Sequence, residues 1–245
     1  MRIKSIYIVI AFAIICMATS SIIIRYSAGP AMIIALYRVI FTSLLAALLV
    51  GRKLPANVLG VSKADLIYTG IAGVFLALHF GFWITSLSYT SIPSSVLFTN
   101  LQVIFVLLFS VIFLKEGVNS FVIAGIVTAI IGSVLIAYGD LTSGKVFGDL
   151  LALLSGFFIA IYFIIGRHVR QRVDIWPYTF VVAAAAAIVL VSACIPAGLP
   201  LGGYPFIEWI LFFLLALGPG IAGHGILNWS LKYIKAPIVA VSILG

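Results

Sequence analysis

Charge is what this sequence has least of. Asp, Glu, Lys and Arg make up 8% of its 245 residues, against about 25% in soluble domains. A water-soluble fold of this length needs far more polar surface, so the chain reads as a polytopic membrane protein. Carboxylates are the scarcest, six against fourteen lysines and arginines. Asp65, Glu116, Asp140, Asp149, Asp174 and Glu208 all fall at the ends of apolar runs or between them. That placement argues against a buried Asp or Glu proton relay. If protons drive the protein, His79 or His224 is the candidate, because imidazole titrates near neutral pH. Cysteine is nearly absent. Cys16 and Cys194 lie inside apolar runs without metal-ligand spacing and read as packing residues, not as a disulfide or metal site. Enzyme motifs are lacking too. There is no phosphate-cradling Gly-Lys-Ser/Thr loop, no His-Glu-x-x-His, no Gly-x-Ser-x-Gly and no acidic pair suited to metal catalysis. No enzymatic activity, cofactor or metal is predicted.

What is present is apolar sequence in long runs, with 64% of residues hydrophobic. A transmembrane helix needs about 20 mostly apolar residues. Successive candidates cover 6–26, 31–50, 66–86, 93–114, 119–138, 147–166, 175–196 and 207–230, and a ninth starts near Ala236. The first begins after Arg2 and Lys4, as a signal peptide would, but it is long enough to span and is read as a retained helix. The formal charge of +8 does not indicate nucleic acid, because the basic residues sit in short loops. Eleven lie on the N-terminal side of the alternating topology (Arg52, Lys53, Lys63, Arg167 and Arg170 among them) and two, Arg25 and Lys145, on the other. The N-terminus is therefore predicted to be cytoplasmic, in the cell membrane.

One stretch returns. Ser86, Leu87, Tyr89 and Pro93 recur as Ser230, Leu231, Tyr233 and Pro237, and Gly81 as Gly225, always 230 − 86 = 144 residues apart. The same offset maps the first four spans onto the sixth to ninth. Five spans per unit is an odd number, so the second copy enters from the opposite side. The predicted architecture is an all-α integral membrane protein of two inverted five-helix repeats, 1–140 and 147–245. A tenth helix would fall beyond Gly245, and the residues after Ala236 cover about half of a ~30 Å hydrocarbon core. The chain is thus expected to be a shortened version of a ten-helix protein of about 285 residues, with about nine helices present and the tenth missing.

Polar residues at membrane depth need a partner or a function. Arg38, within the second span, reads either as an anion-binding or gate group, or as a guanidinium that snorkels outward or pairs with carbonyls. His79 and Trp83 share one face of the third span, suiting a cavity wall; the bland alternative is a histidine bonded to a nearby carbonyl. His224 and Asn228 repeat the i, i+4 pattern in the eighth span. Gly218-Pro219-Gly220 just before them marks a break or a packing kink. Asn100 and Gln102 sit two apart in the fourth span, so one amide is expected to face the cavity and the other a neighbouring helix. Tyr37, Tyr162 and Trp176 fit either a cavity or the interfacial belt. Gly73, Ala77 and Gly81, and Gly125 and Ala129, form small-residue stripes that allow close helix approach.

Taken together, the chain resembles the EamA-type members of the drug/metabolite transporter superfamily. The resemblance is carried by Leu36-Tyr37-Arg38, Thr85 to Pro93, Phe113-Leu114-Lys115-Glu116, Gly148 to Leu153, and Leu217-Gly218-Pro219 through Asn228-Trp229-Ser230-Leu231. It implies a ten-helix carrier with two inverted halves around a central substrate cavity, moving amino acids, other metabolites, nucleotide sugars or drugs, often outward. The expected function is a secondary transporter, an exporter of small metabolites such as amino acids by alternating access. His79, Trp83, Asn100, His224 and Asn228 are its expected cavity residues and Arg38 a supporting charge. Its partners are a small-molecule substrate and the bilayer, with the oligomeric state open. The alternatives are an integral-membrane enzyme on lipid-linked substrates and a non-transporting partner subunit.

Overall fold

The structure, a computed structural model, describes residues 3–116, 120–141 and 145–244. Arg2 and Gly245 lie outside the described residues, as do the side chains of Lys4, Ala129 and Asp140. The described residues are helical, with no strand among them. With no water in the bilayer core, a spanning backbone must satisfy its own hydrogen bonds, and a helix does so within one segment. Among the described residues seven helices are long and apolar enough to cross a membrane: α1 (Ile3–Tyr26), α2 (Ala31–Val50), α3 (Lys63–Ser86), α4 (Ile92–Leu114), α6 (Val146–Val169), α7 (Ile175–Cys194) and α8 (Phe206–Ser230). Between α4 and α6 runs α5 (Ser120–Leu141), and α9 (Ala236–Ser242) is the last.

The helices stop and start where the local chemistry requires. Ser62 caps α3 by accepting from Asp65 N at 3.1 Å, and Ser91 caps α4 by accepting from Ser94 N at 3.2 Å. Pro93 and Pro237 occupy the first turns of α4 and α9, where a missing N–H costs nothing. The two copies of the repeated stretch fold alike. Ser86 Oγ donates to Trp83 O and Ser230 Oγ to Leu227 O, both at 2.7 Å. Tyr89 N bonds Ser86 O as Tyr233 N bonds Ser230 O, both at 2.9 Å.

Packing follows a reciprocal scheme. Helix α3 lies against α6 and α7, α8 lies against α1 and α2, and α2 lies against α7. Helix α4 packs on α6, and α9 touches α1. Large apolar side chains point outward as well as inward: Ile8, Phe12, Ile15, Leu48 and Ile188 are exposed on the bundle surface, while Leu36, Phe163, Phe212 and Leu227 fill its interior. Lipid is as apolar as leucine, so close backbone approach has to hold such helices together. Glycines supply it. A Cβ on Gly73 would come within 2.6 Å of Ala185 Cβ and Val182 O on α7. On Gly220 it would meet Thr42 Oγ1, and on Gly223 Met17 Cγ, each at 2.6 Å. The stripe expected along α3 ends before Gly81, which has nothing within 4 Å of such an atom.

Gly73→Ala should lower stability in detergent by about 1–3 kcal/mol through overpacking. Gly81→Ala should be neutral or stabilise by up to about 1 kcal/mol through helix propensity. Thermal unfolding of the two variants tests the contrast; equal melting would mean that α3 does not seat on α7 through Gly73.

Candidate functional site

Between α1, α2, α3, α4, α6 and α8 lies a cavity of about 260 Å3. It brings together five of the residues singled out in the sequence, Arg38, His79, Trp83, Asn100 and His224. Gln102, also singled out there, lines it as well, and Ser20 joins them, with Ile14, Met17 and Phe163 as apolar wall. Among the described residues no carboxylate lines it. Asn228 lies outside it, in an adjoining space of about 30 Å3 shared with Arg38, Phe80, Tyr162 and His224.

Arg38 is 1% exposed. Its guanidinium donates through Nη1 to Ser20 Oγ at 3.0 Å and stands 4.1 Å from the centre of the Phe80 ring. Its Nε has no partner. The side chain neither snorkels nor pairs with carbonyls; it sits inside the bundle facing the cavity. The ion pairs found among the described residues, Arg167–Glu116, Arg172–Asp65 and Lys232–Asp174, all lie at the α6–α7 side of the molecule and leave Arg38 without a counter-ion.

His79 is held from α6. Its Nδ1 is 3.2 Å from Ser155 O and 2.8 Å from Ser155 Oγ. Nδ1 is thus engaged by Ser155, which leaves Nε2 of the ring for other partners. The His79 ring lies parallel to Trp83, with centroids 6.1 Å apart, and edge-on to His224 at 6.2 Å. Both readings of His79 meet here, since it is bonded to a carbonyl and also lines the cavity.

Two departures from regular α-helix place the remaining groups. Helix α4 is α-helical over Ile92–Asn100, turns at Leu101 and resumes at Gln102. In an unbroken helix Asn100 and Gln102 would point about 200° apart. The interruption lets both line the cavity, where the sequence indicated only one. Helix α8 does not break at Gly218-Pro219-Gly220. It widens into a π-helical segment, Ala216–Gly225, with Pro219 inside and His224 near its end. Such bulges occur often at functional sites. Asn228, one turn on, donates to His224 O at 2.7 Å and to Tyr162 OH at 2.5 Å.

Four buried polar atoms of the cavity residues have no hydrogen-bond partner among the described residues: Arg38 Nε, Trp83 Nε1, Gln102 Oε1 and His224 Nδ1. Buried polar atoms are nearly always bonded, and these four gather around one space. Sequence reasoning left Tyr162 undecided and missed Ser155 and Ser20. Ser155 and Tyr162 are seven residues apart and share a helix face, the one signal that pairs them. Beyond the spans, hydrogen bonding to Asp65 holds the Arg172 pKa above the ordinary guanidinium value, and burial draws that of Arg170 below it.

A bundle of apolar spanning helices around a largely apolar cavity with a few polar groups in its wall, and no carboxylate among the described residues, is that of a multi-pass membrane protein. The chain matches the EamA-like transporter family over residues 4–138 and 146–244, and it belongs to that family. It is 24% identical over 237 residues to an uncharacterized transporter of Archaeoglobus fulgidus, covering 95% of this chain and 81% of the relative. A protein crystal structure shares its fold, with a TM-score of 0.71 at 20% identity over 98% of this chain and 84% of the other. The protein is a membrane transporter.

Arg38→Met should raise the stability of the solute-free protein by about 1–4 kcal/mol, because it replaces a buried uncompensated charge by an apolar chain of similar length. The unfolding midpoint in detergent measures this; a lowered midpoint would make Arg38 a structural strut.

Proposed function

We propose that the protein is a secondary transporter that exports small zwitterionic or anionic metabolites, such as amino acids, across the cytoplasmic membrane by alternating access. One observation carries this reading: a buried guanidinium without counter-ion, at the wall of a solute-sized cavity whose other polar groups are also unpartnered. A solute carboxylate would supply the missing charge for Arg38 Nε, and Gln102 Oε1 and the Nε2 of His79 would accept from its donors. Trp83, Met17 and Phe163 would cover its apolar part. The assigned solute-binding residues are His79, Trp83, Asn100 and His224, with Arg38 as the charge. Asn228 acts one layer out, holding Tyr162 and the end of the widened turn.

Alternating access is supported by the repeat. The contacts of α3 with α6 and α7 correspond, under the 144-residue offset, to those of α8 with α1 and α2, and α2–α7 corresponds to itself. Residues 1–140 and 147–245 then form two inverted halves meeting at the cavity. Export rather than import rests on the family resemblance, and the cytoplasmic N-terminus on the basic loops.

Cells expressing the protein should lose one class of solute to the medium, read by metabolite profiling of both compartments. His79→Ala and Arg38→Gln should each reduce that loss at least 10-fold, the order of one to two lost charge-assisted bonds. Unaltered transport in both variants would remove the cavity from the solute path. For orientation, in a background with Cys16 and Cys194 replaced, Arg52→Cys should react with a membrane-impermeant maleimide only after permeabilisation and Leu201→Cys in intact cells. The reverse pattern would invert the topology.

A further inference from the structure

A second polar enclosure, of about 340 Å3, lies at the α6–α7 side of the molecule, where the chain beyond α2, the start of α7 and the end of α8 meet. Three cations line it: Lys53 from beyond α2, Arg170 from the α6–α7 turn and Lys232 from the α8–α9 turn. One carboxylate, Asp174, joins them. Its side chain is 87% exposed and its Oδ1 lies 3.9 Å from Lys232 Nζ, so it offsets one charge weakly from the solvent edge. The aromatic residues Trp176 and Trp229 complete the wall, the Trp229 ring packing on Tyr233 at 5.1 Å between centroids.

Basic residues are common in loops on one side of a membrane, where they stand solvated. Arg170 differs, because it is 2% exposed. Its Nε donates to Asn228 O at 3.3 Å and its Nη1 donates to Val173 O, and neither partner is charged. A buried guanidinium, two lysines from separate segments and indole rings at the span ends match the chemistry of a phosphodiester at the boundary between water and hydrocarbon. A zwitterionic choline headgroup would bring its own cation against three others. A headgroup with net negative charge would not. The aromatic lining and the position at the ends of α2, α7 and α8 favour a lipid over a free phosphate, since acyl chains can continue along the exposed apolar surface of α2 (Leu44, Leu48).

We propose that this enclosure binds the phosphate of an anionic phospholipid, of the phosphatidylglycerol type, between Lys53, Arg170 and Lys232. The site is separate from the solute cavity. It reaches α8 through the bond from Arg170 to Asn228 O, one turn beyond His224.

The test uses the full chain in nanodiscs of equal phosphatidylglycerol and phosphatidylcholine, with native mass spectrometry of the lipid retained after release. Phosphatidylglycerol should be retained preferentially. With roughly 1 kcal/mol per basic residue at a membrane surface, Lys53→Gln should lower that preference about 5-fold and Lys53→Gln/Lys232→Gln about 30-fold. The control pair Arg25→Gln/Lys145→Gln, on the other side, should leave it unchanged. Lys53 is exposed and has no role in the core, so the single variant reads the site even if the double variant does not fold. Equal retention of the two lipids, or a preference that survives Lys53→Gln, overturns the proposal. So does stabilisation by millimolar inorganic phosphate in pure phosphatidylcholine discs that disappears in Lys53→Gln, which would assign the site to a soluble phosphate.

Discussion

A guanidinium held inside an apolar bundle, with no carboxylate among the described residues to answer it, is the constraint on which this structure turns. Burying a charge costs several kcal/mol even after relaxation, and Arg38 recovers part of that from Ser20 Oγ and the face of Phe80. The remainder stays open toward the cavity. Around it stand the imidazoles of His79 and His224 and the amides of α4, none of which brings a negative charge. A single Asp or Glu in this wall would close the site on itself. The scarcity of carboxylates is therefore a property of the site as much as of the composition.

The backbone shows how these groups reach one space. Glycines bring α8 against α1 and α2, and α3 against α7, closely enough for side chains on separate helices to share a cavity. The turn at Leu101 re-aims one amide of α4, and the π-helical segment of α8 carries His224 to the cavity wall. Ser155 fixes the His79 ring from α6, and Tyr162 receives Asn228 from α8. The bond between His79 and Ser155 thus ties α3 to α6 at the cavity wall, and that between Asn228 and Tyr162 ties α8 to α6 just outside it.

The spans were legible because length and apolarity are set by bilayer thickness, and their ends because Ser, Pro and Gly at caps and turns have local reasons to be there. Arg38, His79 and His224 were legible as rare polar residues at depth. Ser20 and Ser155 were not, since a serine can satisfy its hydroxyl on its own helix and gives no sign of facing elsewhere. Asn100 and Gln102 were misjudged together because periodicity arguments assume an uninterrupted helix, and nothing in Thr99-Asn100-Leu101-Gln102 announces the turn. Gly218-Pro219-Gly220 announced an irregularity but not its kind, as a proline inside a helix fits a break, a kink or a widened turn.

The ion pairs found among the described residues gather at one end of the bundle. Arg172 grips Asp65 with two nitrogens, and Glu116 binds Arg167 while its other oxygen accepts from Ala236 N at the start of α9. At the opposite end Glu208 accepts from Ser27 Oγ and Ala28 N, Tyr37 donates to Leu201 O and Thr90 donates to Asp149. Mobile ions screen exposed charges more than buried ones, and the exposed members here are Arg172, Lys232 and Asp174. The salt content of the water on the side of the ion pairs is therefore a lever on how firmly that end of the bundle is fastened.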